Sequence, residues 1–231
     1  MSEGILNLKK TFELNLTKAG IDVPTLQAKA AIDCSGSMQD LFRTGWVNHT
    51  VDLFIGAALK FDDNGELEMG FFNNNFYTAP VATMEDAGKY MDTKGAKVRA
   101  YGGTCFSPII AAFGEQPEAP QPKRGFMSRL LGLKNPDPVK ADDVLRSYVG
   151  IVTDGDCSDA GSLLQELDKR NPKETFYQFI GIGDQVNVQF LTDLSKRYSN
   201  VGFVHLTDPT AVTPDKFYGE LCNPSFAAWV K

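Results

Sequence analysis

Residues Ser147 to Thr153 read Ser-Tyr-Val-Gly-Ile-Val-Thr and break at once into Asp154-Gly155-Asp156. A run this short, apolar at consecutive positions and closed by turn residues, fits a strand buried on both faces. Such a strand restricts the fold, because both faces need cover, and a parallel sheet with helices on either side supplies it. The chain repeats the pattern. Gln27 to Ile32 is a second such strand and stops at Asp33, and Glu66 to Phe72, Thr175 to Ile182 and Val201 to Leu206 are others. Helical periodicity lies between them. A helix beginning within Gly45 to Thr50 and running to about Phe61 puts Val47, Val51, Phe54, Ile55, Ala58 and Leu59 on one face. Further helices are expected around Glu85 to Lys94, from Pro108 with Ser107 as its cap, through Leu163 and Leu167, over Val188 to Arg197, and from Pro214 towards Trp229. The alternation predicts an α/β fold: a doubly wound, mostly parallel sheet with helices on both faces.

Two segments depart from that alternation. In residues 1–26, Leu6, Leu8, Phe12, Leu14 and Leu16 fall on even positions, the strand period, with a turn at Lys18-Ala19-Gly20. This predicts a strand-rich lead-in packed on the edge of a domain spanning 27–231. At about 114–143, Pro117, Pro120, Pro122, Pro136 and Pro138 crowd together, the composition of a surface insertion. Inside it, residues 123–134 are both basic and apolar, with Phe126, Leu130 and Leu133 at helical spacing. The plain reading is a helix folded back on the domain; the sharper one is a docking element for a partner or membrane surface.

With 231 residues and 42% hydrophobic content, one domain can bury a full core. The net charge of −6, with acids dispersed, leaves no basic footprint for nucleic acid or an anionic membrane. No apolar run approaches signal-peptide or membrane-spanning length, so a soluble cytoplasmic protein without stable membrane insertion is expected. Four cysteines without C-x-x-C spacing argue against a zinc site or a disulfide framework.

Three loops carry the chemistry. Asp33-Cys34-Ser35-Gly36-Ser37 presents three oxygen ligands, Asp33, Ser35 and Ser37, from one tight turn. Oxygen-only donors suit a hard cation such as Mg²⁺, with an open position for water or a partner. Gly102-Gly103-Thr104 allows close backbone approach, and Asp154-Gly155 closes the apolar strand described above. All three leave the carboxyl ends of strands or extended segments, where ligands bind in open parallel sheets.

In this order, D-x-S-x-S, G-G-T and T-D-G resemble the metal ion-dependent adhesion site of von Willebrand factor A domains. The resemblance implies Mg²⁺ ligands Asp33, Ser35, Ser37, Thr104 and Asp154, with Ca²⁺ or Mn²⁺ as alternatives, and a partner protein whose Asp or Glu completes the coordination. Asp33 to Met38 with Leu41-Phe42, and Leu59 to Leu67, are similar to bacterial and phage members associated with tellurite resistance, which implies a stress-response or phage setting.

The expected function is therefore a Mg²⁺-dependent protein-binding module with no catalytic residues. The rival is a Mg²⁺-dependent phosphotransferase or phosphatase using Asp33 as nucleophile. Ser35 stands where aspartyl-phosphate enzymes carry a second acid, and no phosphate-loop motif is present. A structural assembly component that binds without metal is a third reading. Asp33 and Asp154 would then be loop-capping acids. Asp156 and Asp159 read as a turn residue and a helix N-cap, Asp184 as a turn residue or a rim to the site, and His49 and His205 as isolated. Cys34, Cys105 and Cys157 each adjoin one of the three loops, as small fillers or as a thiol sensor.

Overall fold

A computed structural model describes residues 3–61, 65–114 and 145–231. Six strands form one sheet: β1 (Gln27–Asp33), β2 (Leu67–Phe72), β3 (Phe76–Ala82), β4 (Ser147–Thr153), β5 (Thr175–Ile182) and β6 (Val201–Leu206). Their spatial order is β3-β2-β1-β4-β5-β6. All neighbours run parallel except the edge strand β3, which returns antiparallel to β2 through the Asn73-Asn74-Asn75 turn. β4 and β5 are buried along their whole length, as strands covered on both faces must be.

Among the described residues the α-helices are α1 (Glu3–Lys18), α2 (Gln39–Arg43), α3 (Trp46–Phe61), α4 (Ser107–Phe113), α5 (Ala160–Lys169), α6 (Val188–Arg197), α7 (Pro214–Leu221) and α8 (Pro224–Val230). One face of the sheet packs against α1, α3, α7 and α8 through Phe12, Phe54, Phe61, Phe217, Tyr218 and Phe226. The other packs against α4, α5 and α6 through Ile109, Ile110, Leu163, Leu167, Leu191 and Leu194. The doubly wound architecture is as expected. The single helix anticipated towards Trp229 is two, because Asn223 caps a new start at Pro224.

The lead-in is corrected. Residues 3–18 form α1, not strands. Ile5, Leu8, Phe12 and Leu16 recur at three- and four-residue steps, and these face the core while Leu14 is 60% exposed. The even-numbered leucines overlap with that helical set, so both periods coexist in the sequence. Docking on α3 selects the helix. Gly56 makes the contact, since a Cβ there would lie 2.7 Å from Leu8 Cβ and 2.6 Å from the Tyr218 hydroxyl.

The helix expected at Glu85 to Lys94 is also corrected. Only a 3₁₀ turn, Met84–Asp86, forms, closed by a capping box between Thr83 and Asp86. Lys94 then bonds the Asp86 carboxylate at 2.7 Å and the Val81 carbonyl at 2.8 Å, pinning the following turns to β3. Most of the 114–143 segment, including the 123–134 stretch, lies outside the described residues.

The sheet order reverses between β1 and β4. The first crossover leads outwards to β2, and the chain later returns to the other side of β1. The carboxyl ends of β1 and β4 therefore adjoin a crevice of the kind in which open α/β sheets bind ligands.

Candidate metal centre

Asp33 is the last residue of β1 and is wholly buried. One carboxylate oxygen accepts the Ser35 N–H at 2.7 Å. The other accepts the Thr153 hydroxyl at 2.6 Å and lies 3.4 Å from the Thr104 hydroxyl. Ser35 Oγ is 3.1 Å from Ser37 Oγ, which donates to Asp154 Oδ1 at 2.8 Å. The three loops thus bring Asp33, Ser35, Ser37, Thr104 and Asp154 into one cluster of side-chain oxygens.

Backbone bonds hold the loops together. Gly36 N–H donates to the Gly102 carbonyl at 3.1 Å, Tyr101 N–H to the Cys34 carbonyl at 2.8 Å, and Ser158 N–H to the Thr104 carbonyl at 2.9 Å. Gly155 must be glycine, because a Cβ there would meet Thr104 Oγ1 at 2.7 Å.

Burial pushes the Asp33 carboxyl up to about 6, against the Thr153 and Ser35 hydrogen bonds that favour its ionised form; the neighbouring Asp154 charge raises it further. Asp154 is likewise raised by burial, with the Ser37 hydroxyl opposing. Among the described residues, no lysine, arginine or histidine forms an ion pair with either acid. A buried carboxylate without a counter-charge is costly. The buried Asp33 and the half-buried Asp154 among three neutral hydroxyls fit a hard divalent cation, which would offset both charges and replace the hydroxyl–hydroxyl contacts with metal–oxygen ones.

Four contributors escaped the sequence reading. Thr153 reads as the end of an apolar strand, yet its hydroxyl donates to Asp33 and accepts the Gly155 N–H. Asp159 precedes α5 as expected but does not cap it through its side chain. Its carboxylate instead accepts the N–H groups of Phe106 and Ser107 at 2.8 and 2.9 Å, capping α4 just after Thr104. Ser107, expected as the cap of α4, is that helix's first residue. Asn73 and Asn74 reach across from the β2–β3 turn to bond Tyr101 O and Gly103 N. Thr153 and Asp159 are marked in the sequence only as polar residues beside a motif, and Asn73 and Asn74 only as turn residues.

Asp184 lines, with Asp154 and Leu41, a depression of about 130 Å³ beside the cluster. His205 bonds the Gly183 carbonyl at 2.7 Å and is remote from the five oxygens in the hydrogen-bond network. The thiols of Cys34 and Cys157 are both pushed up to about 12 by burial, and that of Cys105 is raised too. They stay protonated near neutral pH, which makes them poor nucleophiles and poor redox sensors.

A family model described as a vWA domain found in the TerF C terminus matches residues 25–123 and 137–231. An uncharacterized protein of Bacillus subtilis, YcbR, is 25% identical over 238 residues, covering 96% of this chain and 85% of that one. A von Willebrand factor type A structure from Catenulispora acidiphila superposes with a TM-score of 0.56 at 16% identity, covering 87% of this chain and 43% of that one. A proximal thread matrix protein from the mussel byssus, solved with a zinc-occupied MIDAS motif, gives 0.55 at 17% identity over 90% of this chain and 49% of its own. The chain thus spans under half the length of these two structures.

Proposed function

The chain belongs to the TerF-like von Willebrand factor A family, and from that premise we propose that it is a metal-dependent protein-binding module. In this reading Asp33, Ser35, Ser37, Thr104 and Asp154 hold one Mg²⁺, with Ca²⁺ or Mn²⁺ as substitutes. The observation that carries it is the wholly buried Asp33, raised towards neutrality and without a cationic partner among the described residues. A cation bound there supplies an electrophilic position that accepts a carboxylate, so a partner's Asp or Glu completes the site. Zinc in the mussel protein's motif supports a divalent ion. The resemblance of Asp33 to Met38 and of Leu59 to Leu67 to tellurite-resistance-associated members extends this reading to a stress-response setting in a cytoplasmic bacterial or phage protein. No helix among the described residues is long and apolar enough to cross a membrane.

The rival phosphotransferase would use Asp33 as nucleophile. Transfer of a phosphoryl group is helped by cationic side chains that hold the charge on its oxygens beside the metal, and among the described residues no basic side chain pairs with the two acids. The test compares immobilised wild-type and Thr104→Ala protein, each exposed to native lysate in Mg²⁺ or in EDTA. Water can replace one neutral hydroxyl, so Thr104→Ala should keep metal but weaken partner retention, by about 1–3 kcal/mol if the two events couple as usual. Turnover of a generic phosphate ester that depends on Mg²⁺ and is abolished in Asp33→Asn would overturn the module in favour of the enzyme.

A further inference from the structure

Beside the metal loops, between β3 and the turns at 93–101, lies an open cavity of about 510 Å³. Its volume is within the range of small-ligand and side-chain pockets. The chain is acidic overall, yet the charged residues on this cavity are Lys94, Lys97 and Arg99. Lys94 is neutralised by Asp86 at 2.7 Å. Lys97 is exposed and makes no ion pair among the described residues, and Arg99 spends one nitrogen on the carbonyls of Ala96 and Val98. Tyr77 and Tyr101 form an aromatic wall, their hydroxyls 3.1 Å apart. With Val81 on the same strand, they are three of the six large hydrophobic side chains exposed among the described residues. Exposed aromatics beside arginine are the composition of an interface core.

The cavity adjoins the metal loops along the chain. Cys34, on its lining, sits between Asp33 and Ser35, and Tyr101 is three residues before Thr104. The Tyr101–Cys34 and Gly36–Gly102 backbone bonds tie the two together. Three residues of extended chain span at most about 10 Å, so a peptide with its carboxylate at the metal reaches this cavity within a few residues.

We propose that this cavity is the second half of the partner site. It receives the residues flanking the metal-bound carboxylate, an acidic protein segment carrying an aromatic or apolar side chain. The ring packs on Tyr77 and Tyr101, and a second carboxylate pairs with Lys97 and Arg99. This rests on the metal-site reading above, and charge complementarity chooses the occupant.

The test uses a displayed library of seven-residue peptides with a fixed central Asp and random flanks. It is selected on wild-type protein and on Lys97→Glu/Arg99→Gln, in Mg²⁺ and in EDTA. Both substitutions fall on exposed side chains, and unchanged melting confirms the fold. Selection on wild type in Mg²⁺ should enrich Asp, Glu and aromatic residues within three positions of the fixed Asp. Winning peptides should bind the double variant about tenfold or more weakly, the value of a charge-assisted contact. Mg²⁺-dependent peptides with no acidic preference, or with equal affinity for the variant, overturn the cavity and leave the metal module standing. Acidic peptides that bind equally in EDTA yet are lost in the variant overturn the metal module, and with it this two-point site. No selection in either buffer overturns both.

Discussion

Asp33→Asn should make the metal-free protein more stable at pH 7. An ordinary aspartate ionises near 3.8 and Asp33 near about 6. At 1.36 kcal/mol per pH unit, holding it ionised at pH 7 costs roughly 3 kcal/mol. Asparagine keeps the shape and loses the charge. Its carbonyl can accept the Ser35 N–H, and its amide can donate to the Thr153 hydroxyl, which must then redirect its own proton. That adjustment lowers the gain, so the expected net is about 1–3 kcal/mol. For a chain of 231 residues, the upper figure corresponds to about 6 °C in Tm. The sign with pH follows from the raised value. Below 3.8 both folded and unfolded wild type are protonated and the carboxyl carries no penalty, which then builds as pH rises and is complete above about 6. The difference between variant and wild type should therefore open across that window. Differential scanning fluorimetry in EDTA at pH 5 and pH 7.5 reads it directly. In Mg²⁺ the gap should close or reverse, because wild type gains about 2.7 kcal/mol at a hundredfold excess over Kd and the variant gains nothing. A metal-free variant that melts below wild type by the same margin at both pH values would refute the reasoning, since Asp33 would then be a structural anion held by its hydrogen bonds.

Asp159→Ala should cost about 1–2 kcal/mol in denaturant unfolding, as for a lost cap, because the N–H groups of Phe106 and Ser107 lose their acceptor. It should also weaken Mg²⁺-dependent partner retention by loosening Thr104. Unchanged retention would show that the cap and the Thr104 loop are independent. Gly56→Ala should destabilise by about 1–3 kcal/mol through overpacking against Leu8 and Tyr218, despite a helix-propensity gain of about 1 kcal/mol. A stabilised variant would mean that α1 does not dock on α3.

The sheet is legible in the sequence because β1, β4 and β5, buried along almost their whole length, read as short and mostly apolar runs closed by turn residues. The Asp33 and Asp154 loops are legible for a related reason, since each is a sharp switch from apolar to turn residues at a strand end, whereas Gly102-Gly103-Thr104 shows only as paired glycines before a hydroxyl. α1 was not. Its apolar residues satisfy the strand and helix periods together, and only the contact at Gly56 decides between them. The capping turn at Met84–Asp86 was hidden by helix-forming residues whose carboxylate and ammonium instead bond Thr83 and Val81. Thr153 and Asp159 illustrate a further limit. Sequence shows that a hydroxyl or carboxylate is present, while its partner, 120 residues away for Thr153 and 53 or 52 for Asp159, is set by tertiary packing. That five oxygens converge is geometry; that they hold a metal is the proposal.

Calorimetric titration of Mg²⁺ into EDTA-stripped protein addresses the proposal most directly. One saturable site is expected in wild type, retained in Thr104→Ala and absent in Asp33→Ala. No saturable binding in wild type, or an isotherm that survives Asp33→Ala unchanged, would contradict it.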